Sequence, residues 1–145
     1  MSKILFVGTH DRFRSKFACL YFNSLCEEKN LRTKAFSVGF DISLDNRRLK
    51  KSNPALDYLG HMGLIIEEDD IMPNQLDQVY LDACEKVICM NMEEHLTMMR
   101  KNFPEQVKKC IYWHFADEFT KPPLSTLPLI KREVDHLLAG IEVIA

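Results

Sequence analysis

The sequence predicts an α/β fold in which a four-stranded parallel sheet carries helices on both faces. Four runs of strand length are almost continuously apolar, as is typical of strands that are covered on both sides. Segments with a helical periodicity separate these runs, and strands that alternate with helices favour a parallel sheet. In such a sheet we expect right-handed crossovers and a ligand site beyond the carboxyl ends of the strands.

The whole chain, residues 1–145, is interpreted as one three-layer domain. Its 145 residues are enough for one domain with a proper core and too few for two comfortable ones. Hydrophobic residues make up 46% of the chain and charged residues 28%, which places it among ordinary globular proteins rather than disordered ones.

The N-terminal third of the chain predicts a strand, a helix and a second strand. The first strand is KILFVGT (3–9), and the second is TKAFSVG (33–39). Between them, residues 14–29 place apolar side chains on one helical face, namely those of Phe17, Leu20, Tyr21 and Leu25. The polar stretch at 41–52 is predicted to be a loop beside the carboxyl edge of the sheet.

The remainder of the chain predicts three more helices and two more strands. Residues 53–62 begin with Asn53, a suitable helix cap, and Pro54, which fits the first helical position. The acidic stretch at 67–70 is predicted to be a loop. The other strands are EKVICMN (85–91) and KKCIYWHF (108–115), and the other helices are 92–101 and 125–138, the last with Ser125 as its cap.

Charge and composition argue against several classes of partner and location. The net charge of −2 gives no electrostatic case for nucleic acid or for an anionic membrane. No apolar run approaches the roughly 20 residues of a membrane helix, and the N-terminus lacks the pattern of a signal peptide. We therefore expect a cytoplasmic protein. The five cysteines have no metal-binding spacing, so we expect reduced thiols, no metal and no cofactor.

The loop between the first strand and the first helix is the main candidate site. A loop of this kind collects backbone N–H groups and the positive end of the helix dipole, which together favour an anion. Arg14, at the start of the helix, adds a planar fork that suits two oxygens of a phosphate. Position alone equally allows an ordinary turn with a solvated arginine.

The stretch VGTHDRFRSKFA (7–18) resembles the phosphate-binding loop of the low-molecular-weight protein tyrosine phosphatases, whose pattern reads V-C-x-G-N-x-C-R-S-P-x-A. The residues that fit this pattern are Val7, Thr9, Arg14, Ser15 and Ala18. Further similarities follow in the family's order at 37–39, 53–66, 83–105, 112–119 and 125–138. The resemblance implies the phosphatase fold for most of the chain.

The resemblance also implies the site residues. It assigns phosphate binding to the loop, residues Gly8, Thr9, His10, Asp11, Arg12, Phe13, Arg14 and Ser15, and it puts Asp117 at the position of the general acid. In such enzymes a thiolate attacks phosphorus, an arginine holds the phosphate oxygens, and an aspartate protonates the leaving group.

The sequence departs from the family pattern where this chemistry lies. Gly8 takes the place of the nucleophilic cysteine and supplies no attacking atom. Other positions differ as well: His10 replaces a glycine, Asp11 an asparagine, Phe13 a cysteine, and Lys16 and Glu118 each a proline. We therefore expect a catalytically inactive protein with a vestigial Asp117, whose loop binds phosphate, sulfate or a phosphorylated partner. Asp11, if turned inward, would compete by pairing with Arg12 or Arg14.

Two alternatives stay open. A weakly active phosphatase would need water attack supported by Asp117 or His10, although His10 equally suits a solvent-facing loop residue. A pure protein-interaction module would leave the loop empty and use another surface, such as the basic run NRRLKK (46–51), which equally suits a solvated loop. Cys26 opens a literal C-x5-R segment, but without a glycine or a preceding strand it is interpreted as the end of a helix.

Overall fold

The computed structural model describes residues 2–43 and 53–144 and confirms the α/β fold. Four parallel strands form one sheet in the order β2-β1-β3-β4. The strands are β1 (Lys3–Gly8), β2 (Lys34–Gly39), β3 (Lys86–Cys89) and β4 (Cys110–Tyr112). The basic run at 46–51, which the sequence predicts as a loop, lies outside the described residues.

Helices lie on both faces of the sheet. Those in the described part of the chain are α1 (Arg14–Glu28), α2 (Pro54–His61), α3 (Gln78–Ala83), α4 (Met92–Asn102) and α5 (Pro123–Ile144). Asn53 caps α2 as predicted, because its side-chain oxygen accepts a hydrogen bond from the backbone N–H of Ala55 at 3.0 Å. The same side chain donates to the carbonyl of Arg12 at 2.9 Å, so the cap of α2 also holds the loop after β1.

Alternate residues of the central strand β1 enter two separate cores. Ile4 and Phe6 pack with side chains of α1, α2 and α5 on one face. Leu5 and Val7 pack with side chains of α3 and α4 on the other. All four are at most 1% exposed, and burial of each contributes about 1.5 to 3 kcal/mol. The strand is therefore fixed on both faces, and its carboxyl end holds the following loop in place.

Three elements differ from the prediction. Helix α3 is absent from it because six residues are too few for a periodic pattern, and the helix buries only Leu81. Helix α5 begins at Pro123 rather than after Ser125, since proline suits the first helical position. The acidic stretch predicted as a loop contains a 3-10 turn at Glu68–Ile71.

Candidate functional site

The predicted loop lies at the carboxyl edge of the sheet and lines a small pocket. β1 ends at Gly8, and α1 begins at Arg14. The pocket has a volume of about 80 Å³. The residues around it are those of the loop from Gly8 to Ser15, together with Glu94, Asp117, Glu118 and Phe119. The structure thus brings together the residues that the sequence analysis singled out, and it adds Glu94 and Phe119.

Gly39, at the end of β2, lets that strand approach the loop closely. A Cβ atom placed on Gly39 would lie 2.7 Å from the backbone nitrogen of Asp11, which is far inside van der Waals contact. Beside this contact, the N–H of Phe40 donates to the carbonyl of Gly8 at 3.1 Å. The backbone of the loop therefore packs directly against the backbone of β2, with no room for a side chain between them.

Asp11 organises the loop from inside. It adopts a left-handed backbone conformation with φ of 52°, which aspartate tolerates better than most residues. Its buried carboxylate accepts hydrogen bonds from Ser15 Oγ at 2.9 Å and from the backbone N–H of Asn74 at 2.8 Å. Lys16 Nζ lies 3.1 Å away. Burial raises the pKa of Asp11, while the charge of Lys16 and the hydrogen bonds oppose that rise. The carboxylate pairs with this lysine and with neither arginine of the loop.

Gly8 places no side-chain atom at the end of β1. A Cβ atom added there would lie 2.8 Å from Ser15 Oγ and 3.3 Å from Ser15 Cβ. The hydroxyl of Ser15 is engaged with Asp11, so it cannot move without the loss of that hydrogen bond. The space above Gly8 is therefore filled by the serine side chain.

Arg14 is nearly buried, with 5% of its surface exposed, and its guanidinium is held by the protein. Nη1 donates to Glu94 Oε2 and to the carbonyl of Phe115, each at 2.7 Å, and Nη2 donates to Glu94 Oε1 at 2.9 Å. A guanidinium has five N–H donors. Nε and the second N–H of Nη2 have no acceptor within the described ranges, so this edge of the fork is not used by the protein's own described groups.

Glu94, in the first turn of α4, is the acidic partner of Arg14. Its carboxylate also accepts hydrogen bonds from Thr9 Oγ1 at 3.0 Å and from Asn91 Nδ2 at 2.8 Å. With the two bonds from Arg14, each carboxylate oxygen accepts two hydrogen bonds. Partial burial disfavours the charged form, but the hydrogen bonds and charge of Arg14 outweigh it and lower the pKa of Glu94 to about 2. The group is therefore ionised at neutral pH.

His95 connects α4 to the loop through Thr9. The backbone N–H of Asn91 donates to His95 Nδ1 at 3.1 Å. The proton of the neutral ring is thereby assigned to Nε2, which lies 3.0 Å from Thr9 Oγ1. The threonine hydroxyl accepts a hydrogen bond from this N–H group and donates a hydrogen bond to Glu94. Burial, together with the positive charge of Arg14, lowers the pKa of His95 to about 4, although Glu94 opposes this shift. The imidazole is therefore neutral at neutral pH.

Each arginine and lysine of the loop region has an acidic partner. Arg12 Nη2 lies 2.8 Å from Glu118 Oε1, in addition to the pairs that Asp11 and Glu94 form. The three pairs are Arg12 with Glu118, Arg14 with Glu94, and Lys16 with Asp11. The positive charges that the sequence offers to an anion are thus balanced by carboxylates of the same chain.

Asp117 and His10 lie at the pocket, and each is bound to the backbone. The Oδ1 atom of Asp117 accepts hydrogen bonds from the N–H groups of Phe119 and Thr120, at 3.0 and 2.8 Å. Nδ1 of His10 lies 2.7 Å from the carbonyl of Asp41 and donates to it. Asp117 therefore stabilises the turn in which it lies, and His10 connects the loop to the segment after β2.

None of the five cysteines lines the pocket. Cys26 lies in the last turns of α1 and is 3% exposed, in agreement with its interpretation as part of a helix. Burial raises the pKa of Cys19, on the same helix, to about 12. Neither thiol of α1 can act as a nucleophile towards a ligand of the loop.

The described residues contain neither a cluster of side chains suited to a metal ion nor a helix suited to a membrane. Across residues 2–43 and 53–144, no three His, Cys, Asp or Glu side chains cluster so that they could hold a metal ion. Over the same ranges, no helix has the length and apolarity needed to cross a membrane.

Glu94 and His95 are the site residues that the sequence analysis missed. The stretch NMEEH (91–95) is typical of a helix cap, with Asn91 as the cap and a glutamate three positions later. One further signal was present. Residues that directly follow β3 lie next to the end of β1 in any sheet where these strands are neighbours, and such residues meet at one edge. The carbonyl of Phe115 carried no signal at all.

No protein-family model and no curated protein matches the sequence, but solved structures match its shape. The low molecular weight protein tyrosine phosphatase from T. tengcongensis has a TM-score of 0.81 and 20% identity, over 97% of this chain and 99% of that one. SP-PTP, the low molecular weight protein tyrosine phosphatase from Streptococcus pyogenes, has a TM-score of 0.80 and 14% identity, over 97% and 93%. The YwlE arginine phosphatase from Geobacillus stearothermophilus has a TM-score of 0.71 and 20% identity, over 99% and 94%.

These matches run along nearly the full length of both chains in each pair, and TM-scores of 0.71 to 0.81 show a shared fold. The four-stranded parallel sheet with helices around it matches that fold. The chain therefore has the α/β fold of the low molecular weight protein tyrosine phosphatases.

Proposed function

We propose that this protein has the phosphatase fold but is catalytically inactive, and that it binds an oxyanion or a phosphorylated group without hydrolysing it. The observation that carries the proposal is Gly8. It ends β1 at the base of the pocket, where the resemblance puts the nucleophilic cysteine, and it has no side-chain atom that could attack phosphorus. Removal of a covalent nucleophile typically lowers the rate by many orders of magnitude.

The surrounding groups support the absence of turnover. Ser15 Oγ is the side-chain atom nearest to where a Cβ on Gly8 would lie. This hydroxyl donates a hydrogen bond to Asp11. His10 is bound to the carbonyl of Asp41. One oxygen of Asp117 accepts two backbone hydrogen bonds and is therefore already used to hold its own turn.

The remaining edge of Arg14 supports the binding part of the proposal. An arginine cannot lose its charge at any physiological pH. Its Nε–Nη2 edge is a two-donor fork that matches two oxygens of a phosphate or sulfate. The absence of a thiolate at Gly8 also removes a negative charge that would face such a ligand.

A pure interaction module is a second candidate, and one specific observation favours it. The three ion pairs around the loop balance every cation that would attract an anion. In this case the ion pairs of the pocket only stabilise the fold, and a different surface of the protein contacts a partner. Thermal unfolding in the presence of rising phosphate distinguishes the candidates, because stabilisation that is lost in Arg14→Ala indicates an anion site.

An activity assay tests the proposal directly. We expect no release of p-nitrophenol from p-nitrophenyl phosphate, and no release of phosphate from a phosphoarginine peptide, a substrate chosen because one structure of similar fold is an arginine phosphatase. Turnover that scales with the concentration of purified protein would contradict the proposal. If a thiol-alkylating agent abolished that turnover, one of the five cysteines would be responsible.

We also propose that the protein is cytoplasmic. No disulfide links the five cysteines, all of which lie in the described part of the chain, and proteins with several cysteines and no disulfide are typical of reducing compartments.

A further inference from the structure

We propose that Glu94 is a built-in counter-ion of the loop, which takes the guanidinium of Arg14 in place of an external oxyanion and thereby sets the anion affinity of the pocket. This inference rests on the proposed binding function of the loop. It concerns Glu94, a residue of α4 that lies outside the loop, and it predicts that the wild-type pocket binds anions more weakly than a pocket without this carboxylate.

The geometry of the contact is that of an oxyanion bound to arginine. Both oxygens of Glu94 meet the terminal nitrogens of Arg14, at 2.7 and 2.9 Å, in the two-point arrangement that a carboxylate or phosphate adopts with a guanidinium. Thr9, a loop residue, donates a third hydrogen bond. The carboxylate therefore uses donors that an external anion in the loop would otherwise use.

Glu94 reaches the pocket from a separate element. It is 80 positions from Arg14 in sequence. It lines the pocket, and 27% of its side-chain surface is exposed. A carboxylate that only supported the arginine from behind would be covered by protein. Glu94 and Arg14 both line the pocket, so the negative charge of Glu94 acts on any anion bound there.

The charges around the pocket give the direction of the effect. Lys16 and the two loop arginines are each matched by a carboxylate, and Asp117 adds a further negative charge among the lining residues. An incoming phosphate dianion therefore meets a surface without net positive charge. Removal of Glu94 leaves the charge of Arg14 uncompensated, and a charge at this range changes the affinity for a dianion by about tenfold or more.

A pure anchoring role makes the opposite prediction. If Glu94 only oriented Arg14, its removal would release the guanidinium and weaken anion binding. Arg14 has other support, since it is nearly buried and donates to the carbonyl of Phe115. We therefore expect the guanidinium to keep its place without Glu94, and the sign of the change in affinity separates the two roles.

The test is a titration of inorganic phosphate by calorimetry at pH 7, at constant ionic strength, on folded protein. We compare the wild type with Glu94→Ala, Glu94→Gln and the double variant Arg14→Ala/Glu94→Ala. Glu93→Ala is the matched control, because Glu93 lies beside Glu94 in the first turn of α4 and is exposed to solvent. Glu94→Gln keeps the side-chain volume in case the alanine variant is too unstable to titrate.

We expect the Kd for phosphate to fall by about tenfold or more in the two single Glu94 variants. It should stay unchanged in Glu93→Ala, and binding should be lost in the double variant. An unchanged or higher Kd in both Glu94 variants would overturn the inference, and the proposed function would stand as long as the wild type still binds. Absence of binding in every protein would overturn the inference and the proposed anion site together. Turnover by the wild type would overturn the proposed function alone.

Discussion

Position 39 requires a glycine because the backbone of the loop after β1 lies directly against it. Its missing Cβ would lie 2.7 Å from the nitrogen of Asp11, an atom that cannot move without the loop. We expect Gly39→Ala to lower the free energy of unfolding by about 1 to 3 kcal/mol, the range seen when a packed site receives an extra group. Chemical denaturation measures the change.

Gly60 provides the matched control for that substitution. It lies in α2, and a Cβ on it would meet no atom within 4 Å. Alanine is the better helix former, so Gly60→Ala should raise the free energy of unfolding by up to about 1 kcal/mol. Equal effects of the two substitutions would show that close approach of β2 to the loop is unimportant for stability.

Gly8 differs from Gly39 because the group nearest to it is a side chain. A cysteine there would place its Cβ 2.8 Å from Ser15 Oγ, so the serine must rotate and give up its hydrogen bond to Asp11. The carboxylates of Asp11 and Glu94 would also disfavour the thiolate. We therefore expect Gly8→Cys to hydrolyse p-nitrophenyl phosphate at far below the rate of an ordinary family enzyme, and to react slowly with a thiol reagent at pH 7.

Fast hydrolysis by Gly8→Cys would show that the neighbouring changes are harmless. Gly8→Ser is the useful comparison, since it introduces the same Cβ atom without a thiol. Any activity specific to the cysteine variant then reports on the nucleophile and not on the displacement of Ser15.

At the scale of elements, α4 and the loop after β1 are joined through Thr9, Glu94 and His95, and this contact should weaken in acid. The pKa of His95 is lowered from 6.5 to about 4. Between these values the unfolded chain binds a proton that the native protein does not, so the free energy of unfolding falls as the pH drops from 6.5 to about 4. Glu94, with its pKa lowered from 4.5 to about 2, contributes a further loss below pH 4.5.

Thermal unfolding between pH 7 and 4 measures this dependence. We expect the melting temperature of the wild type to fall over that range, and the fall to be smaller in His95→Gln. His136→Gln is the control, because His136 lies on the exposed side of α5. The imidazole resonances of His95 in nuclear magnetic resonance spectra give an independent check, since they should remain those of the neutral ring down to about pH 4. A ring that takes up its proton near pH 6.5 would contradict the assignment.

At the scale of the whole molecule, the sequence predicts the fold better than it predicts the site. β1 and β2 were predictable because their residues are buried on both faces, which leaves continuous apolar runs. The position of the loop follows from them, because ligands bind where parallel strands end. Helix α3 was not predictable, since its structure depends on a single buried leucine and a cap.

Local sequence patterns do not predict which carboxylates pair with the cations of the loop. Asp11 was expected to meet an arginine if it turned inward, and it meets Lys16 instead, because the lysine lies in the first turn of α1 and is itself buried. Glu94 resembles a cap residue in sequence and becomes the partner of Arg14 only because β3 lies beside β1. Contacts of this kind depend on the order of strands, which no single stretch of sequence specifies.

The central claim is that the pocket binds a phosphorylated group without hydrolysing it, and one measurement tests both parts. Phosphotyrosine is mixed with the purified protein, and its ³¹P resonance is followed over hours. We predict that the ester resonance shifts or broadens in proportion to the protein, that Arg14→Ala abolishes this change, and that no resonance of inorganic phosphate develops. A growing phosphate resonance that scales with protein concentration, or an ester resonance that is the same with wild type and Arg14→Ala, would contradict the account.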